Sequence, residues 1–279
     1  ISLVDYLEEK KVRFRSLTIE GAALDIFRDK RRPFDNSARR YMVQHLMRNS
    51  QLDADIGSVH IENSHVRYFE FAPKGNVPGM ISFENIQMDM APFYLRKNDE
   101  TYPLDRLRAG IRTDIMGISD VQLTALMRFE EKSPMDVTIE MGEFELEHIN
   151  DFLEKTLFVK IEKGKINNGN WAFTLDDDYA IGEMRLAYED LKIQLVDSLT
   201  FEQGKGKLKL FSFLVNVVAK NNNPRGSASR IVMSEIYQER DKTKFIFNAW
   251  WKATLSGLRG SFGLGKPKVP KEIRREEED

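Results

Sequence analysis

The sequence predicts a mainly β protein, a long antiparallel meander that curls into a groove or an open barrel with an apolar interior, with two or three short α-helices. Three observations predict this class. Apolar and polar residues alternate with a period of two along most of the chain, as in half-buried strands. Turn-forming residues interrupt the alternation repeatedly. A short strand pattern also recurs, which indicates an architecture built by repetition.

The recurring pattern is an apolar residue, any residue, then Ile-Glu, followed by a further apolar position. It occurs at Leu17–Glu20, Val59–Glu62 and Val159–Glu162. The last two copies also agree downstream, where Glu84–Met90 parallels Glu189–Leu195. This longer agreement favours a true repeat over coincidence.

The repeat suggests the domain organisation. We predict two strand modules, at about 11–95 and 105–240, within one elongated β-rich domain over residues 1–265. Residues 266–279 are nearly all charged or proline. Such a composition buries too little apolar surface to order itself, so a disordered charged tail is predicted there.

Each element is predicted from local spacing. Helical spacing predicts helices over Ser37–Met47, Leu146–Leu157 and Phe247–Leu258. Three helices cannot cover the predicted sheet, so its apolar face could close as a sandwich, close as a barrel, or form a trough covered by a ligand. Strands are predicted at 12–14, 24–26, 59–71, 80–90, 111–115, 121–129, 137–141, 144–146, 165–175, 184–195, 207–219 and 228–238.

Composition excludes several function classes. The 42 Lys and Arg residues are balanced by 44 Asp and Glu residues, so no global field favours nucleic acid as a partner. The absence of cysteine excludes disulfides, thiolate metal sites and cysteine nucleophiles. No apolar run approaches the ~18 residues of a membrane-spanning helix. The first residue is Ile1 rather than methionine, from which we expect that an N-terminal piece has been removed.

Three motifs that could carry chemistry are weak. Gly260–Lys266 has the glycine and lysine spacing of a phosphate-binding loop, but Pro267 follows where magnesium binding needs a hydroxyl. Asp176–Asp178 lacks the spacing of a calcium loop and favours a solvated turn. His60 and His65 have odd spacing, which predicts opposite faces of a strand. We therefore predict no metal, no cofactor and no catalytic residue.

The segment from 245 to 262 combines aromatic and basic residues at helical spacing. This favours either a helix at a membrane interface or, as the preferred interpretation, a helix that plugs the end of the sheet. The candidate membrane-interface residues are Phe247, Trp250, Trp251, Leu255 and Leu258.

Three stretches resemble a known family. Lys163–Phe173, Ala180–Lys192 and Phe247–Lys252 are similar to the C-terminal region of AsmA-like proteins, and the likeness extends over roughly residues 50–262. The resemblance implies a bacterial envelope protein at the periplasmic face of the inner membrane, held by an N-terminal anchor outside this chain. It further implies kinship with bridge-like carriers whose curled sheets hold phospholipid acyl chains, and no catalytic residues.

We therefore hypothesise that this is a non-enzymatic protein that binds or transfers phospholipid along an apolar β-groove. Its expected partners are an acyl lipid, the membrane surface and other envelope proteins. The alternative is an envelope scaffold that regulates membrane-protein assembly through exposed strand edges and has a closed sandwich core. The predicted groove lining is Val121, Leu123, Met127, Ile139, Met141, Phe144, Ile166, Leu208 and Leu210.

Overall fold

The computed structural model describes residues 11–97, 102–197, 200, 220–224 and 230–273, and it is mainly β as predicted. The predicted strand at 207–219 lies outside the described residues, and so do Leu208 and Leu210. The helices are α1 (Val43–Arg48), a 3₁₀ turn (Leu146–Ile149), α2 (Asn150–Thr156) and α3 (Ile246–Phe262). The strands are β1 (Lys11–Phe14), β2 (Leu17–Glu20), β3 (Ala23–Asp29), β4 (Asp53–Ile56), β5 (Val59–Phe71), β6 (Gly79–Met90), β7 (Phe93–Leu95), β8 (Arg106–Ile115), β9 (Ser119–Arg128), β10 (Met135–Met141), β11 (Phe144–Glu145), β12 (Val159–Leu175), β13 (Tyr179–Leu195) and β14 (Met233–Glu239).

One large open sheet dominates the fold. Its strand order is β14-β13-β12-β10-β9-β8-β6-β5-β2, with β3 beside β5 and β11 beside β12. Neighbours from β5 to β14 are antiparallel, so this part is the predicted meander. The N-terminal edge differs, because β2 and β3 run parallel to β5. A smaller sheet of β1, β4 and β7 is also mixed, with β1 parallel to β4.

The first two copies of the sequence repeat lie side by side in register. Leu17 pairs with Val59 and Phe27 pairs with Phe69, and the ion pair between Asp25 and Arg67 has the same separation of 42 residues. The register of β1 on β4 keeps this offset. The repeat therefore stacks on itself across the sheet.

The second and third copies begin equivalent hairpins. Val59 pairs with Met90 in the β5–β6 hairpin, as Val159 pairs with Leu195 in the β12–β13 hairpin. The downstream agreement in sequence also has a structural counterpart, because Asn85 and Asp190 both have positive φ angles, of 51° and 57°. Asn and Asp tolerate this left-handed conformation better than most residues.

Irregular positions line up across neighbouring strands. Gly21, Asn63 and Asn85 all have positive φ, and the register of β5 on β6 shifts beside Asn63. Bulges bend a strand and increase its twist, so adjacent bulges curl this part of the sheet. The bulge also corrects the histidine prediction: it reverses the alternation of faces between His60 and His65, which therefore share a face.

The helices lie against one side of the large sheet, here called the inner face. α3 agrees closely with its predicted range, and the predicted helix over Leu146–Leu157 is divided into the 3₁₀ turn and α2. α1 is shorter than predicted and starts at Val43. Residues 37–42 instead have no regular secondary structure, and the Arg40 amide donates to the Lys242 carbonyl at 2.7 Å.

Candidate functional site: an apolar face of the sheet

A continuous apolar row crosses the inner face. Each member is the cross-strand partner of the next, so the row follows the hydrogen-bonding direction through eight strands. In sheet order its members are Ile19, Ile61, Met88, Ile111, Leu123, Ile139, Trp171 and Met184. Since side chains on one face of a sheet stand about 4.8 Å apart in this direction, the row forms an uninterrupted apolar surface.

Exposure changes steadily along this row. Met184 is fully buried and Trp171 is 7% exposed, whereas Ile19 is 41% exposed. The four members from Ile61 through Met88 and Ile111 to Leu123 are half-buried. The C-terminal half of the inner face is therefore part of the core, and the N-terminal half is open.

α3 closes the C-terminal half. Its buried side is a line of small residues, Ala249, Ala253 and Gly257, which lets the helix lie close to the sheet. A Cβ on Gly257 would approach Met184 Cε to 2.9 Å and Ile236 Cγ1 to 3.0 Å. The Trp171 indole also donates to Thr254 Oγ1 at 3.1 Å.

α1 closes the end of the groove between β9 and β10. Met42 and Met47 are each 2% exposed and belong to the main core. Gln44 is also fully buried and donates from Nε2 to the carbonyls of Ser133 at 2.8 Å and Pro134 at 2.9 Å. These bonds satisfy backbone groups of the β9–β10 loop and fix the helix in place.

The predicted lining residues fall into three groups. Val121, Leu123 and Met141 lie together on the inner face and are half-buried, with Val121 paired to Met141. Leu208 and Leu210 are outside the described residues. The remaining four are core residues with exposures between 2% and 6%: Met127, Ile139, Phe144 and Ile166.

The open half is lined by residues that the sequence prediction did not include. Leu17, Ile19, Leu24 and Ile26 lie on β2 and β3 with exposures of 38%, 41%, 53% and 40%. They share a face with Val59, Ile61, Val66 and Tyr68, their partners on β5. The repeat contained the signal: these residues form its first copy, which has a neighbour on one side only among the described strands.

α2 stands between the open half and α3. The Phe152 ring contacts Tyr68 on β5, at 6.2 Å between centroids, and Trp251 on α3, at 6.4 Å. The helix lies tightly on β6, because a Cβ on Gly79 would come within 2.8 Å of the Phe152 carbonyl oxygen. The open apolar face therefore has a floor on β2, β3, β5 and β6 and an aromatic wall on α2 and α3.

The predicted membrane-interface residues lie on two sides of α3. Phe247 is 67% exposed and Trp251 is 39% exposed, on the side opposite the small residues. Trp250 and Leu258 pack against the main core, and Leu255 is half-buried. α3 therefore packs on the face of the sheet through its small residues and presents two aromatic rings to solvent.

A polar cluster borders the open face at the end of β3. The Glu70 side chain is 7% exposed, with Lys30 Nζ at 2.5 Å and Arg28 Nε at 3.8 Å. The Tyr68 hydroxyl donates to Glu70 at 2.7 Å. Burial, with a contribution from this bond, raises the pKa of Tyr68 and keeps the phenol protonated.

Residues 30–42, here called the strap, join the N-terminal strands to the C-terminal loops. Lys244 Nζ lies 2.8 Å from the centroid of the Phe34 ring and donates to Asn36 Oδ1 at 3.1 Å. Arg39 pairs with Asp177 in the β12–β13 turn. The strap thus connects parts of the open sheet that lie far apart in strand order.

The acidic turn that holds the strap is an ion-pair cluster. Asp177 accepts from Arg240 at 2.8 Å and lies 3.3 Å from Lys242, and the Arg240 side chain is 1% exposed. Hydrogen bonds from Lys242 and Lys132 lower the pKa of Asp178. Within the described part of the chain, no group of His, Asp and Glu residues could hold a metal ion.

Two other features lie apart from the apolar face. A depression of about 330 Å³ beside β14 is lined by Arg185, Arg230, Ile231 and Met233, and the register places Arg185 and Met233 on the outer face. The glycine-rich segment 260–266 spans the C-terminus of α3, where Gly263 has a φ of 78°. Phosphate loops precede a helix, so this context does not fit one.

Comparisons with known proteins find no match: no protein-family model, curated protein or solved structure corresponds to this chain. No helix in the described ranges is both long enough and apolar enough to cross a membrane.

Proposed function

We propose that this protein binds phospholipid acyl chains on the open half of its inner face, without catalysis, as a lipid-binding or lipid-transfer module of the bacterial envelope. The apolar row from Met184 to Ile19 carries the proposal, because it continues the core into solvent without a polar interruption. Contiguous exposed apolar surface marks interaction sites in soluble proteins.

The energetics suit a lipid tail. Burying one methylene group is worth about 0.8 kcal/mol, so several rungs of the row would retain an acyl chain without a headgroup site. The half-buried Met88 adds a flexible, polarizable side chain that adapts to different chains. We expect binding that tolerates variation in tail structure.

The exposed rings of α3 support contact with a membrane surface. Phe247 and Trp251 face solvent, and Lys244 and Lys252 lie near them in sequence. Aromatic rings beside basic residues favour the headgroup region of a bilayer. The similarity to AsmA-like proteins supports the periplasmic face of the inner membrane as the location of this contact.

Native mass spectrometry with lipid extraction tests lipid binding. Protein purified from a bacterial host without detergent should carry phospholipid, and an Ile19→Asp/Leu24→Asp variant should lose most of it. Both residues are exposed, so the fold should tolerate the change. Ile118→Asp is the matched control, since Ile118 is 51% exposed in the β8–β9 turn. Equal lipid content in all three proteins would contradict the proposal.

A scaffold function is the second candidate. Met127, Ile139, Phe144 and Ile166 are sealed in a core formed by the protein's own side chains, as expected for a closed interior. A lipid-free protein that also fails to take up a fluorescent phospholipid would favour this candidate.

A further inference from the structure

The N-terminal edge of the large sheet is the strongest unassigned feature of the described residues. No described strand pairs with the outer edge of β2 or β3. The Lys30 amide donates inward to the Phe71 carbonyl at 3.1 Å. Because successive amides of a strand point to opposite sides, the amides of Arg28 and Ile26 also point inward and those of Phe27 and Asp25 point outward. An edge with outward-pointing amides is a template for another strand.

The pairing of β3 with β5 shows what chemistry fits such an edge. Partners at the 42-residue offset are complementary: Arg67 donates two hydrogen bonds to Asp25, at 2.8 and 2.7 Å. The Phe27 and Phe69 rings stack, with centroids 4.7 Å apart and planes 8° from parallel. Each interaction joins equivalent positions of two repeat copies.

Other contacts at the 42-residue offset occur in the smaller sheet and at the two ends of β3. Arg28 lies 3.8 Å from Glu70, and Arg13 lies 3.7 Å from Asp55. The Ala22 amide donates to Ser64 Oγ at 3.0 Å, beside the positive-φ residue Gly21. The backbone irregularity and the charge pattern therefore specify a single register of β2 and β3 on β5.

The unpaired edge of β2 and β3 has an exposed aromatic ring and a backbone irregularity, which are also present where these strands pair with β5. Phe27 is 70% exposed although one side of its ring is stacked on Phe69. Gly21 and Asn63 have φ angles of 67° and 49°, so the two copies have a matching backbone irregularity at the same offset. The unpaired edge of β2 and β3 is thus similar to the edge of β5 with which these two strands pair.

We propose that the outer edge of β2 and β3 binds a parallel strand of a further module that carries the β5 pattern. That strand places a base opposite Asp25, an aromatic ring on the free side of Phe27 and an acid opposite Arg28. Its apolar residues extend the inner face beyond Ile19 and Ile26. The inference rests on strand pairing and does not depend on lipid binding.

A peptide of residues 59–71 of this chain is the probe, because it carries Arg67, Phe69 and Glu70 in the required register. Fluorescence anisotropy with the full chain should give saturable binding, and Arg67→Asp in the peptide should weaken it at least tenfold. Phe27→Pro in the protein should also weaken binding at least tenfold. It removes an outward amide and leaves the ladder to β5 intact.

The matched control compares two exposed phenylalanines. Phe27→Ala should weaken peptide binding, whereas Phe247→Ala, at a residue 67% exposed on α3, should leave it unchanged. Thermal melts of all variants establish that each is folded. A photo-crosslinker in place of Phe69 of the peptide should label residues near Phe27, as parallel pairing requires.

Four outcomes would overturn the proposal. They are the absence of saturable binding, equal binding by the Phe27→Pro protein, crosslinks centred on β2 as antiparallel pairing would give, and crosslinks away from both strands. Sedimentation of the protein alone adds a further test. A homodimer abolished by Phe27→Pro would assign this edge to a second copy of the chain instead.

Discussion

Single side chains fix the register in which the first repeat copy joins the sheet. Asp25 and Arg67 occupy equivalent positions of two copies, yet their charges are opposite. Complementary charges at one offset penalise a strand that slips, because a shift by one residue would separate each pair and move the apolar set to the other face.

The Asp25–Arg67 pair predicts a pH dependence. The hydrogen bonds from Arg67 lower the pKa of Asp25 below its ordinary value. The pair therefore contributes stability above the unfolded-state pKa, about 3.9, and this contribution is lost as pH falls through the lowered folded-state pKa. Urea unfolding should show a larger loss of stability from pH 6 to pH 2 in the native protein than in Asp25→Asn.

The control for this prediction is Glu20→Gln on the neighbouring strand, which should retain the native pH dependence. High salt should reduce the difference between the native protein and Asp25→Asn, because the pair is exposed and screened. Identical pH profiles for the native protein and Asp25→Asn would show that the pair does not stabilise the fold.

Residue patterns predicted some of these details. The agreement in sequence between Glu84–Met90 and Glu189–Leu195 corresponds to equivalent strands in the structure, and each segment contains an Asn or Asp residue with positive φ. The faces of His60 and His65 were wrongly predicted, since alternation assumes a regular strand and the bulge at Asn63 breaks it. Asn63 is a residue type that tolerates positive φ, but its presence in the sequence does not by itself locate a bulge.

At the scale of elements, α3 illustrates how a helix can bury its smaller residues. Its sequence marks Phe247, Trp251 and Leu255 as a stripe, but Ala249, Ala253 and Gly257 face the sheet. The sheet explains this choice, because Met184 and Ile236 already fill the space beneath Gly257. Helical spacing predicted the element; only the facing strands decide which side it buries.

Substituting the helix glycines should test this close packing. A Cβ on Gly260 would lie 2.7 Å from Ser234 Cβ, an atom held by the β14 backbone. Gly260→Ala should therefore lower the free energy of unfolding by about 1–2 kcal/mol, because overpacking exceeds the gain in helix propensity. Urea denaturation followed by circular dichroism measures the change.

Gly110→Ala in β8 is the control, because a Cβ there would meet nothing within 4 Å. It should be neutral or slightly stabilising. If Gly260→Ala were as stable as the native protein, α3 would have room to move away from β14, and the small-residue packing would not be tight.

At the scale of the whole molecule, the strap compensates for a sheet that does not close. It brings residues next to β3 into contact with the β12–β13 turn and with the loop before α3. Strand pairing alone would leave these regions joined only through the full width of the sheet. The Asp177 cluster is the anchor of this connection.

Asp177→Asn should therefore be costly. It would leave the Arg240 guanidinium, 1% exposed, without its charged partner. Removing one member of a buried pair costs about 3 kcal/mol, which we expect to see in urea denaturation. Asp190→Asn is the matched control: its partner Lys163 is 65% exposed, and surface pairs contribute about 0–1 kcal/mol. Equal effects of the two substitutions would contradict an anchoring role for Asp177.

The sequence predicted the class and the meander because both depend on local alternation. It did not predict the parallel edge, since pairing between strands 42 residues apart is a non-local property. Four of the predicted lining residues are buried in the core for a related reason: alternation identifies one face of each strand, but not how much of that face the helices cover. Ile19 and Ile139 are members of one row, but Ile19 lies on an edge strand and is 41% exposed, whereas Ile139 lies between two described strands and is 6% exposed.

The constant 42-residue offset has a consequence for how such a chain can change in length. Duplicating the DNA that encodes the first unit would insert a strand whose neighbours already have the matching backbone irregularity and a ring to stack on, whereas the duplicated Asp25 would face a like charge. Each duplication would widen the sheet by about 4.8 Å, with the aromatic and backbone features of the interface already in place. A protein with this register can thus lengthen through a single type of genetic event, and point substitutions can adjust the pairs afterwards.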